Sequence, residues 1–307
     1  MAMKEQYTVS ESRMMVSNFV NKIQNGHVKE AEDFGSQFIR EKLRETGFLS
    51  QILPRQNVMD NELDRDERSE LPKVVIDKEP DSMAAYMPFR ANADNQYFSS
   101  PRFPIHFVKV ESNHFTKNIF ELKTYRMDIR QVLRENSVKD IQEQEDSFFI
   151  DGVDAAINAS PANAIQDLTV TGGGGLTPSI VKLAKQALVQ LRRPVGCILM
   201  SEALYIDTET FALADVGYNL KEKWYLTGSE SPKKILGVPT VTTIKNDIIP
   251  DNVFYVFSKP DFLGKFLSLQ DPTLYIKEEA DMIDFWTYES VGVGIGNVQS
   301  MIKVTLT

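Results

Sequence analysis

Pro194-Val-Gly-Cys-Ile-Leu-Met-Ser201 decides the character of this chain, because Val195 to Met200 is an apolar run of strand length with no polar face. Alternation would mark a half-exposed strand, whereas an unbroken run means burial on both faces. Ser201 and Glu202 suit a helix start, and helical composition continues to about Leu213. Ile235-Leu-Gly-Val-Pro-Thr-Val-Thr-Thr-Ile244 reads as a β-branched strand, Pro250-Asp-Asn252 as a turn and Val253-Phe-Tyr-Val-Phe257 as another buried strand. Lys259-Pro-Asp-Phe-Leu-Gly264 leads into a short element ending at Leu269. The stretch from Pro194 to Phe266 is thus one compact α/β unit, and it carries no reactive constellation.

Working outward, the 307 residues are 42% hydrophobic and 25% charged. That is ordinary for a globular protein with a sizeable core, and at about 100–200 residues per domain it allows two domains or one elaborate one. No apolar run nears the ~18 residues of a membrane span, and Met1-Ala-Met-Lys-Glu-Gln-Tyr7 lacks the apolar core of a secretory signal. Cys197 is the single cysteine. It excludes an intrachain disulfide or a thiolate cluster, reads as a small buried hydrophobe, and fits a reducing cytoplasm. A net charge of −9 leaves no electrostatic footprint for nucleic acid.

Glycine and proline divide the rest. No glycine lies between Gly47 and Gly152, and six of the 14 prolines fall from Pro54 to Pro104. Residues 1–53 read as amphipathic helices. Val16, Phe19, Val20 and Ile23 form one stripe; Val28, Ala31, Phe34, Phe38, Ile39 and Leu43 form another, ending where Gly47 suits the C′ position. The stripes fit either a helical hairpin on its own core or an arm on a neighbouring subunit. Residues 54–115 read as an extended excursion between strands at Lys73–Ile76 and Pro104–Val110, with the acidic run Asp60–Glu70 as a solvated loop. So long a connection is unusual unless it binds something. Its Tyr86, Met87, Phe89, Tyr97 and Phe98 need a surface to cover them, and another subunit supplies one.

Ile119–Met127 alternates like a strand, a short helical stretch follows from Asp128, and Ser137 with Asp140 resembles a capping box opening a long helix to Asn158. Ile141, Glu145, Phe148, Gly152 and Ala156 share one face of that helix, with Phe149, Val153 and Ile157 adjoining. Glu143, Glu145 and Asp146 read as solubilising charges on its exposed side. Gly172–Gly175 lacks the lysine and hydroxyl of a phosphate loop and reads as a hinge or turn, followed by Thr177 as N-cap and Pro178 as first residue of a helix. Ile180, Ala184, Ala187, Leu188 and Leu191 form the core face of that helix. Leu274–Lys277, Ile283–Tyr288 and Met301–Leu306 are strands, and Gly292-Val-Gly-Ile-Gly296, with the wrong spacing for a dinucleotide fingerprint, bends one of them. His27, His106 and His114 have no metal-ligand spacing, and no nucleophile elbow or zinc-protease motif occurs. We expect no catalytic residues, no cofactor and no metal.

The order of Ile235-Leu-Gly-Val-Pro239, Ile249-Pro-Asp-Asn252 and Tyr255-Val-Phe257 resembles the axial domain of tailed-phage major capsid proteins, whose Hong Kong 97-type fold encapsulin shells also use. The resemblance implies an α+β fold with four parts. These are an N-terminal helical arm (1–53), an extended loop region (54–115), a peripheral domain with a long spine helix (116–165 and 267–307) and an axial domain (166–266). All three C-terminal strands would complete the peripheral sheet. It further implies a virion protein, not an enzyme, that assembles in the host cytoplasm into hexamers and pentamers of an icosahedral shell around double-stranded DNA, without sequence-specific binding and without a membrane. A portal and a separate scaffolding protein are the implied partners. The inter-subunit contact candidates are Tyr86, Met87, Phe89, Tyr97, Phe98, Phe34 and Phe38. No lysine occurs from Glu79 to Pro104, so the isopeptide crosslink of one family member lacks its nucleophile. The alternatives are an encapsulin-type compartment shell and a soluble α/β enzyme.

Overall fold

The computed structural model describes residues 47–66, 68, 70–77, 86, 97, 100–124, 129–171, 175–211 and 233–307. The stripes expected in residues 1–46 and Gly172–Gly174 lie outside the described residues.

Fourteen strands are described: β1 (Arg55–Asn57), β2 (Asp64–Arg65), β3 (Pro72–Asp77), β4 (Arg102–His106), β5 (Val108–Glu111), β6 (Phe115–Asn118), β7 (Asp167–Val170), β8 (Val195–Ser201), β9 (Lys234–Ile235), β10 (Val238–Thr243), β11 (Val253–Ser258), β12 (Gly264–Glu279), β13 (Met282–Ile295) and β14 (Met301–Leu306). They form three sheets. The largest has the order β7-β14-β11-β8-β10-β9, the second runs β1-β12-β13-β5 with β6 also on β13, and the third is β2-β3-β4.

The six-stranded sheet grows from the continuous apolar runs. Ile198, Leu199 and Met200 of β8 and every residue of β11 are buried. One face packs on the helix Pro178–Gln190 through Val181, Ala184 and Leu188. Thr177 is the N-cap by backbone conformation but makes no side-chain cap bond, and Pro178 opens the helix. Ser201 does cap the helix Glu202–Ile206, its Oγ accepting from the Leu204 N–H at 3.1 Å. The expected strand 235–244 is a hairpin: β9 and β10 are joined by Leu236 and Gly237, both at positive φ (47° and 79°), the mirror-image turn that suits strand twist.

β14 pairs with β7 and β11 in this same sheet. Of the three C-terminal strands, only β12 and β13 build the other sheet. The expectation for 301–306 is corrected by pairing: the apolar Met301, Ile302, Val304 and Leu306 fit a strand buried on both faces, not the half-open hairpin sheet.

A 31-residue helix, Ile129–Ala159, lies between the two large sheets and spans ~46 Å at ~1.5 Å per residue. Phe149, Ile150, Val153 and Ile157 pack with Leu199, Tyr255, Phe257 and Met301 of one sheet and with Phe266 and Val291 of the other. Ser137 does not open the helix. It is fully buried two turns inside, because the helical pattern continues N-terminally through residues that propensity alone leaves open. Ile119–Thr124 is a short helix, not the expected strand; Asn118 Oδ1 accepts the Phe120 N–H at 2.8 Å and turns the chain there.

Gly47, expected to end a helix, precedes one. The helix Phe48–Ile52 buries Phe48, Leu49, Ile52 and Leu53 against the long helix, so this end of the expected arm belongs to the chain's own core.

Candidate assembly surface and buried charge cluster

The third sheet is the root from which the segment 78–101 leaves and to which it returns. β3 and β4 pair antiparallel from Lys73↔His106 to Asp77↔Arg102, where the chain leaves at Asp77 and returns at Arg102. The ion pair closing the root, Arg102 Nε to Asp77 at 3.2 Å, is exposed and worth little. Beyond it, Tyr86 and Tyr97 are fully exposed to solvent. Met87, Phe89, Phe98, Phe34 and Phe38 lie outside the described residues.

The root is seated firmly. Ile105 and Phe107 are buried with Leu267, and Phe103, Val74, Ile76, Val58 and Leu63 pack around them. Glycines in β13 make room for this. A Cβ on Gly294 would lie 2.4 Å from Ile105 Cδ1, and one on Gly292 would lie 3.0 Å from the His106 carbonyl oxygen. These residues, read from sequence as bending a strand, permit close approach of β4 instead.

On its outer face the β12–β13 hairpin carries a half-exposed aromatic ladder. His114 stacks on Trp286 at 4.9 Å, Trp286 on Tyr275 at 5.9 Å and Tyr275 on Tyr288 at 4.6 Å, with Lys109 Nζ 4.4 Å above the Tyr288 ring. His114 therefore belongs to a packed surface, not to a metal or acid–base site.

Inside the same sheet lies a cluster that the sequence reading placed in solvent. Glu145 and Asp146 are buried, since the inward stripe of the long helix runs through 141, 142, 145, 146, 149 and 150, while Phe148 faces out at 39% exposure. Arg55 Nη2 donates to Glu289 Oε2 at 2.7 Å and to Ser268 Oγ at 2.9 Å, and Nη1 donates to Glu145 Oε1 at 3.4 Å. Lys245 Nζ donates to Asp146 Oδ2 at 2.6 Å, and Asp146 Oδ1 accepts the Leu49 N–H at 3.1 Å. Burial, then the charge of Glu289, holds the Glu145 carboxyl well above the usual carboxylate range against the pull of Arg55. Burial also raises Asp146, outweighing Lys245. The missed signal was the pairing of these carboxylates with Arg55 and Lys245, about ninety to a hundred residues away in sequence (|i−j| of 90 and 99).

Catalytic geometry is not built elsewhere among the described residues. No group of three His, Cys, Asp or Glu side chains is placed to hold a metal. Burial pushes the Cys197 thiol up to about 12, which leaves it unreactive. An open groove of ≈ 500 Å³ beside the Pro178–Gln190 helix, lined by Lys182, Lys185, Gln186, Val189, Gln190 and Leu236, offers no acid–base pair.

No family model matches the chain, and no curated protein matches it. Solved structures do. A subunit of the mature capsid of bacteriophage PhiM1 superposes with a TM-score of 0.59 at 10% identity, covering 85% of this chain and 87% of that one. A chain of Microbacterium phage Oxtober96 gives 0.60 at 12%, over 85% and 92%. A virus-like particle from Pyrococcus furiosus gives 0.51 at 15%, over 90% and 99%. With its long helix between a hairpin sheet and a mixed six-stranded sheet, and a small third sheet packed on the former, this chain has the α+β Hong Kong 97-type capsid fold.

Proposed function

We propose that this chain is a structural, non-enzymatic shell subunit, the major capsid protein of a tailed phage, which self-assembles into an icosahedral container for double-stranded DNA. One observation carries the reading: the likeness to the mature capsid of bacteriophage PhiM1 spans 85% of this chain and 87% of that one, so it covers nearly the whole fold and not one domain of it. The exposed tyrosines support it, because Tyr86 and Tyr97 find no cover within the chain. In this reading Tyr86, Met87, Phe89, Tyr97 and Phe98 lie on a neighbouring subunit, and Phe34 and Phe38 belong to a segment that reaches along the shell. Residues 54–115 then act as the extended loop region, the Ile129–Ala159 helix as the spine of the peripheral part, and the six-stranded sheet as the axial part. Portal and scaffolding proteins are the further partners, and the virion is the location.

An encapsulin-type compartment is the second reading, favoured by the virus-like particle whose chain is covered at 99%. Negative-stain imaging of the expressed chain, followed by assay of particle contents, separates the readings. Shells that package nucleic acid in the presence of a phage's packaging proteins support the first. Shells loaded with one protein cargo support the second, and a chain that forms no particles either alone or co-expressed with a scaffolding protein overturns both.

A further inference from the structure

The cluster beneath the β12–β13 sheet has three buried carboxyl groups, Glu145, Asp146 and Glu289, facing two cations, Arg55 and Lys245. Asp146 and Lys245 satisfy each other. Arg55 is left to serve two carboxyls that are 6% and 0% exposed. Glu289 Oε1 is buried and takes no donor, although Oε2 receives Arg55. An undonated, buried carboxylate oxygen beside a second carboxyl group asks for a hydrogen between them.

We propose that Glu145 and Glu289 share one proton, donated from Glu145 to the open oxygen of Glu289, and that this proton pins a clasp fastening residues 48–57 to the long helix. The clasp has two jaws. Asp146 accepts the Leu49 N–H, while Lys245 binds Asp146 and lies 5.7 Å above the Phe48 ring. Arg55, at the start of β1, is held between the long helix and β13 by Glu145 and Glu289. Ser268 of β12 adds a neutral acceptor and itself lies 3.5 Å from Asp271. β5 adds no charge on this side, because Lys109 sits over Tyr288 on the opposite face. When the proton leaves, one guanidinium faces two full charges, and the jaw that holds β1 opens.

The sign follows from linkage. Glu145 binds its proton more tightly in the closed clasp than in the open one, where it titrates near 4.5. Closure is therefore fully favoured at or below that pH. It weakens as pH rises toward the closed-state value, by up to about tenfold in the opening equilibrium per pH unit. Asp146, also raised, has the same sign. The inference is intrachain and stands whether or not the protein builds a shell.

Hydrogen exchange of full-length protein, read on peptides covering 47–58 and corrected for intrinsic rates, tests it over roughly pH 5 to 9. Wild type should lose protection by up to about tenfold per unit over part of that range. Glu145→Gln, whose amide donates without titrating, should flatten the profile. Identical profiles in the two proteins would overturn the proposal. An infrared band of a protonated carboxyl in wild type at neutral pH is the second expected result and needs no variant. Absence of that band would overturn the proposal equally.

Discussion

The two large sheets of this subunit solve burial in opposite ways. The six-stranded sheet is mostly apolar in its middle: β8 and β11 bury Ile198, Leu199, Met200, Phe254, Val256 and Phe257, they bury no carboxyl group, and the buried Tyr255 hydroxyl donates to Asp154 at 3.1 Å. The hairpin sheet buries Glu289 and Thr287 on the face whose neighbours are Ile283, Phe285 and Val291, and it faces the carboxyl groups of Glu145 and Asp146. Hydrophobic transfer holds the first, so its loss is graded by the methylenes removed. The second depends on paired charges, and removing one member strands the others at a much larger cost.

The largest expected effect follows from that difference. Arg55→Met leaves Glu145 and Glu289 without their cation and should lower stability by about 3–5 kcal/mol. Ile198→Val in the apolar sheet should cost only about 0.5–1.5 kcal/mol. Urea unfolding of both variants measures the gap; equal costs would erase the distinction between the sheets. A smaller effect is expected where β4 meets β13. Gly294→Ala forces a methyl to 2.4 Å from Ile105 Cδ1 and should cost about 1–3 kcal/mol, with loosening of β3 and β4 visible by hydrogen exchange. The smallest should be a gain. Leu236 holds a left-handed φ of 47° at 45% exposure, so Leu236→Asn should stabilise the β9–β10 hairpin by roughly 1 kcal/mol. A lower melting temperature for Leu236→Asn would mean that the side chain has packing value in this turn.

The same contrast explains what could be read from the chain. Val195–Met200 and Val253–Phe257 announce their burial by composition, and Ser201 announces a helix start, so the central strands β8 and β11 of the six-stranded sheet were legible, whereas β7 was not read as a strand and β9 and β10 were read as one. The hairpin sheet was legible in its strands, since Leu274–Lys277 and Ile283–Tyr288 lie in β12 and β13, but its buried charge cluster was not. Glu145 and Asp146 look like solubilising charges on a helix, because their partners Arg55, Lys245 and Glu289 stand far off in sequence and only the fold brings them together. Phe148 and Phe149 are equally apolar, and which one faces inward depends on a helical phase set by packing. Met301–Leu306 reads as a strand, but nothing local states which sheet it joins. Of the candidate contact residues, Tyr86 and Tyr97 stand exposed.

The central claim is that this subunit is made to assemble with copies of itself. Native mass spectrometry of the purified chain over a concentration series tests it most directly. The account predicts pentamers, hexamers or closed shells in multiples of the 34.8 kDa subunit, with Tyr86→Ala/Tyr97→Ala folded but shifted toward monomer. A wild-type chain that stays monomeric at every concentration, with the tyrosine variant indistinguishable from it, would contradict the account.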